Sequence, residues 1–172
     1  VIMPNPKKMF QDWRAKYARQ SFPIFHKGES FTDSTVAYDR LTSLQTVKGR
    51  CVYILSIKQA EQDVFVYVGL TKSGVSKRWK QHLDSFYAQK KESYQRWKTL
   101  LFTNDKANHD TNLFVIKEND IEKSPIHFIP NPTISNVEKE LINLLDLIQP
   151  NVLLNNEGKS REPSNRFDVS LH

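Results

Sequence analysis

CVYILSIKQAEQDVFVYVGLT, residues 51–71, is the stretch on which the fold turns. Residues 51–57 and 63–69 are both rich in β-branched and aromatic side chains, and each reads as a strand. The linker from Lys58 to Gln62 is short and polar, so the two strands are predicted to pair as an antiparallel hairpin. The second strand is apolar at nearly every position, which predicts cover on both faces of the sheet.

The flanking sequence supplies that cover. Thr71, Ser73, Gly74 and Ser76 break the strand pattern, and their hydroxyls can cap a following helix. Val75, Trp79, Leu83 and Phe86 space as its buried stripe, and Arg78 and His82, four apart, share a neighbouring face. A helix is expected from about 93 to 102, with Tyr94, Trp97 and Leu101 inward, followed by a polar loop at 104–111. A third strand is expected at 113–117 and a short fourth at 126–129, between Pro125 and Pro130. Ser135 or Asn136 starts the last strong helix and Pro150 ends it. Its stripe is Val137, Leu141, Leu144, Leu145 and Ile148. Upstream, Met9, Phe10, Trp13 and Tyr17 fall at helical spacing among basic residues. That helix either packs on the main domain or touches a polyanion. Residues 22–47 give mixed signals and are expected to wrap the core.

The expected class is therefore α/β (α+β): a small mixed or antiparallel sheet of three to four strands flanked by helices. It divides into an N-terminal arm (1–45), a core (46–156) with an insertion near 84–112, and a C-terminal arm (157–172).

Composition bounds the function. In 172 residues, 25 Lys+Arg stand against 19 Asp+Glu, a formal charge of +6. That excess suits nucleic acid, and equally a solvated surface. Cys51 is the only cysteine, which excludes an internal disulfide and a cysteine-based zinc finger. No apolar run approaches 18 residues, and Val1-Ile2-Met3-Pro4 carries no signal-peptide core, so no membrane association and a cytoplasmic location are expected.

Several short features stand in a fixed order. Cys51-Val52-Tyr53 is followed by Tyr67-Val68-Gly69, with Leu70-Thr71 after it. Arg78 comes eleven residues after Tyr67, and His82 four after Arg78. Glu138 opens a helix containing Leu141-Ile142, and Gln149-Pro150 precedes Asn151, Asn155 and Asn156. Each piece alone is commonplace, but in this order and spacing over residues 51–156 they resemble the GIY-YIG nuclease family. Cys51 stands where that family has its first glycine, and reads as a small buried core residue.

The resemblance implies a divalent-metal-dependent DNA endonuclease with Tyr53, Tyr67, Arg78, His82 and Glu138 converging on one concave surface. Glu140 is the alternative acid. Glu138 would hold Mg²⁺ or Mn²⁺, since such an ion needs only one or two carboxylates beside substrate oxygens and water. Arg78 would steady a phosphate oxygen. The general base is open between Tyr53 and His82, because an ordinary tyrosine, with a pKa of about 10, is a poor base at pH 7. Lys72 and Asn151 or Asn155 are candidate substrate contacts, and Lys90, Lys91, Arg96 and Lys98 could follow the backbone. The partner implied is double-stranded DNA, met by a monomer or a homodimer. With no zinc finger and no convincing helix-turn-helix, base reading would fall to the arms and the insertion, which points to a site-specific, restriction-type enzyme.

Overall fold

The hairpin supplies two neighbouring strands of the main sheet. The computed structural model describes residues 5–30, 40–88, 95–121 and 133–155. The expectations for Phe86, Lys90, Lys91, Tyr94, a strand at 126–129 and the 157–172 arm lie outside the described side chains or residues.

In chain order the elements are α1 (Pro6–Tyr17), β1 (Gln20–Phe25), β2 (Cys51–Gln59), β3 (Gln62–Thr71), α2 (Val75–Ala88), α3 (Gln95–Leu101), β4 (Phe102–Thr103), β5 (Lys106–Ala107), β6 (Thr111–Lys117), α4 (Glu118–Ile121) and α5 (Ile134–Ile148). A four-stranded sheet has the order β1-β6-β2-β3, antiparallel throughout, and β4 and β5 form a separate two-stranded ribbon. β2 and β3 run further than their sequence signal. Only Ala60 and Glu61 turn between them, both at positive φ (51° and 64°), the conformation that tight hairpins favour.

β1 was not legible as a strand. It contains Pro23, which cannot donate to a ladder, and mixed polarity obscures its period. Pairing on one side only, with β6, and a register shift between Pro23 and Phe25 accommodate the proline. The stretch read as wrapping the core thus contributes a strand of the main sheet. α1 starts where Asn5 caps the backbone N–H groups of Lys7 and Lys8 and Pro6 occupies the first turn. α5 starts slightly earlier than expected, capped by Thr133, whose hydroxyl accepts from the Asn136 N–H at 3.2 Å.

Side chains alternate across β2, so each face of the sheet has its own core. One face carries Cys51, Tyr53, Leu55 and Ile57 and is covered by α2, α3 and the segment 41–47, through Leu41, Val75, Trp79, Leu83, Trp97 and Leu101. The other carries Val52 and Ile54 and is covered by α1 and α5, through Phe10, Trp13, Val137, Leu141, Leu144 and Leu145. Each fully buried Leu or Val contributes about 1.5–3 kcal/mol, so both covers are tightly held. A bulge between Leu55 and Ser56 places Phe65 on the α5 face and leaves Tyr67 and Gly69 on the α2 face.

Candidate active site

Tyr53 lies in β2 with none of its surface exposed, and its partner across the hairpin is Gly69. A Cβ at position 69 would overlap the Tyr53 ring and its hydroxyl. The glycine of Tyr67-Val68-Gly69 is therefore required by the ring that lies over it, not by a turn. Two residues back along the same face, Tyr67 brings its ring to 6.1 Å from that of Tyr53.

α2 leaves β3 after three residues and lays Trp79, His82 and Leu83 on this face. The Tyr53 hydroxyl and the His82 Nε2 are 3.2 Å apart, and both residues are buried. With Nε2 unprotonated, the tyrosine O–H donates to it. Arg78 sits one turn earlier, half-buried, with its Nη1 donating to Gln81 Oε1 at 3.1 Å. Its guanidinium and Tyr67 both act on the Tyr53 hydroxyl. From α3, Trp97 closes the cluster: its ring stacks on His82 (centroids 5.2 Å, interplanar angle 23°) and lies 4.5 Å from Tyr67.

Burial dominates the electrostatics. It pushes the Tyr53 hydroxyl well above its ordinary pKa, Tyr67 adds to the rise, and Arg78 opposes it. The free protein thus keeps Tyr53 protonated, and any base role requires an acceptor for that proton. His82 Nε2 is within reach. Cys51 is fully buried and its thiol is pushed up to about 12 by desolvation, the state of an inert core residue.

The acids come from a different helix. Glu138 and Glu140 ride on α5, whose apolar stripe packs on the opposite face of the sheet from α2. α5 packs against α4, which follows the end of β6 paired with Cys51, and its C-terminal Gln149 donates to the Phe65 carbonyl. Its first turns are therefore near the Thr71 end of β3, the end from which α2 departs. Glu138 is half-buried and Glu140 is buried, 6% exposed, so Glu138 is the better placed to meet an ion that keeps its water. Among the described residues no three His, Cys, Asp or Glu gather at one place. A lone carboxylate is a hard oxygen donor that fits Mg²⁺ or Mn²⁺ shared with substrate oxygens.

The asparagines divide. Asn155 is buried and spends its amide on the backbone of the edge strand: Oδ1 accepts from the Val68 N–H (2.9 Å) and Nδ2 donates to the Val68 carbonyl (2.7 Å). It closes the edge of β3, and that side chain is not available to substrate. Asn151 is exposed, at φ 66°, and lines a mostly apolar cavity of about 630 Å³ with Val64, Val66 and Leu100. Lys72 is exposed just past the second motif. Arg96 donates to the Leu153 carbonyl. A second cavity, about 740 Å³, runs between residues 41–49 and the start of α2, with Lys48, Lys77 and Lys80 on its walls. Sequence reading missed this lysine group because its members come from two segments that only the fold joins. The inward face expected for Trp97 is borne out, but helical spacing cannot show which ring a tryptophan will cover.

No protein-family model, no curated protein and no solved structure matches this chain.

Proposed function

We propose that the chain is a divalent-metal-dependent DNA endonuclease of the GIY-YIG type, a phosphodiester hydrolase of site-specific, restriction-like character. The observation that carries this reading is the buried Tyr53–His82 pair, 3.2 Å apart, with Tyr67 and Arg78 beside the tyrosine hydroxyl. Tyr67 and Arg78 are half-buried while Tyr53, Trp79, His82 and Trp97 are buried, so substrate reaches the pair from the Tyr67–Arg78 side.

Hydrolysis needs an activated water, neutralisation of phosphoryl charge and a proton for the leaving oxygen. Tyr53 takes a proton from the attacking water as its own O–H proton passes to His82 Nε2, so the phenol is restored and the imidazole becomes imidazolium. The new P–O bond forms as the bond to the leaving oxygen on the opposite side breaks, that oxygen takes its proton from solvent water, and the imidazolium returns its own proton to solvent afterwards. Arg78 holds a phosphoryl oxygen with its planar fork. A Mg²⁺ or Mn²⁺ ion held by Glu138 would supply further charge neutralisation at the phosphate. The lysines of the 740 Å³ cavity and exposed Lys72 suit the flanking DNA backbone.

The enclosure of Tyr53 favours two competing readings, a DNA-binding module of the same fold without catalysis and one active only on distorted DNA. Incubation of supercoiled plasmid with the protein and Mg²⁺ or Mn²⁺, with a chelated control, separates them when the ends are sequenced. Ends at one short sequence support the proposal. Salt-sensitive binding without product supports the inactive module, and cleavage confined to branched or nicked substrates supports the structure-selective one.

A further inference from the structure

The Tyr53–His82 pair is embedded in rings. Tyr67, Trp79 and Trp97 all lie against His82, but only Trp97 lies nearly parallel to the imidazole, at 23° and 5.2 Å, whereas Trp79 is tilted at 53° and Tyr67 stands nearly edge-on at 80°. Trp97 comes from α3, a different element from either member of the pair, and is 4% exposed. Its other contacts, Tyr67 at 4.5 Å and Trp79 at 6.3 Å, hold its own plane in place. From this geometry we infer that Trp97 is a positioning residue that fixes the plane of the His82 ring toward the Tyr53 hydroxyl and stabilises the imidazolium formed when His82 takes that proton.

The physical basis is the indole quadrupole. Its negative face attracts a cation lying over it, and tryptophan is the strongest of the aromatic side chains in this respect. A neutral imidazole gains little of this, so the stack favours the protonated state selectively. The stack also opposes rotation of the imidazole out of line with the Tyr53 oxygen. Polar or charged groups beside the pair include Tyr67, Arg78 and the buried indole N–H of Trp79, and the positive charge of Arg78 opposes a second cation nearby. The aromatic stack offsets that repulsion. The inference rests on the proton path proposed above, but its first readout does not require cleavage.

The test uses the full chain as wild type, Trp97→Phe and Trp97→Leu. His82 is followed by NMR through its ring carbon-bound protons, assigned with His82→Gln, and the pH dependence of cleavage is measured in parallel. A measurable His82 midpoint in the folded wild type is required. That midpoint falls by about half to one and a half pH units in Trp97→Leu, the span given by a cation–π contact converted to pH. Trp97→Phe, which keeps a smaller ring, falls in between. The acidic limb of the cleavage profile moves down with it, and the plateau rate drops because the base is weaker. A structural role alone would lower the melting temperature and leave both midpoints in place. Equal His82 midpoints in wild type and Trp97→Phe, or a wild-type His82 that stays neutral down to acid unfolding, would overturn the inference even if Trp97→Leu fails to fold. If the His82 midpoint moves while no variant, wild type included, cuts DNA, the stack stands and the nuclease proposal fails.

Discussion

The ring of Tyr53 occupies the space that any side chain at Gly69 would need, so the two strand motifs are locked together by one steric contact. Gly69→Ala must displace the ring or open the hairpin. Overpacking of this kind costs about 1–3 kcal/mol. Denaturant melts should show that loss, and cleavage should fall further than stability does, because the displaced hydroxyl leaves His82. A variant that melts and cuts like wild type would show that the ring is not held there.

Tyr53→Phe retains the ring over Gly69 and removes only the hydroxyl. The melting temperature should stay near wild type while the cleavage rate drops about 10²–10⁴-fold, the range for general acid–base help. His82→Gln should give a similar loss. The double variant should lose little more than either single one, since the two act in one proton path. Fully additive losses would argue that they act separately.

Alkaline pH should destabilise the fold in a stated window. Burial raises the Cys51 thiol from 9.0 to about 12 and the Tyr53 hydroxyl well above its ordinary value. The unfolded chain releases both protons first, so above pH 9.0 it binds fewer protons than the native state, and stability falls as pH rises. The contribution of Cys51 is whole below pH 9.0 and is lost as pH climbs toward about 12. Cys51→Ala should flatten that part of the stability–pH curve, as read by urea midpoints between pH 8 and 11. An unchanged slope would remove Cys51 from the account.

Glu138 and Glu140 differ in burial on one helix. Glu138→Gln should abolish metal-dependent cleavage while DNA binding, measured by mobility shift, persists. Glu140→Gln should retain Mg²⁺-dependent cutting and change stability instead. The reverse pattern would move the metal role to Glu140.

Asn155 is bound twice to the Val68 backbone in the edge strand that carries Tyr67 and Gly69. Asn155→Ala should cost about 1–3 kcal/mol, the range for leaving buried backbone groups unsatisfied. At a temperature where the variant is folded, its KM for DNA should match wild type. A raised KM with unchanged stability would restore a substrate-binding role.

The hairpin and the third strand were legible as short runs rich in β-branched and aromatic residues, and the α2 and α5 stripes because apolar residues recur there at helical spacing. β1 was not, because Pro23 and mixed polarity hide a strand whose place depends on β6. The order Tyr53, Tyr67, Arg78, His82 was visible in the chain, and the hairpin register with one helical turn of α2 is sufficient to bring those four together. Only the tertiary structure decided the rest. It set Trp97 on His82, joined Lys48 to Lys77 and Lys80, turned Asn155 into a backbone partner and packed the stripe of α5 on the face opposite α2. Those relationships depend on how separate elements pack. Spacing along the chain encodes which face a residue takes, but not which neighbour that face will meet.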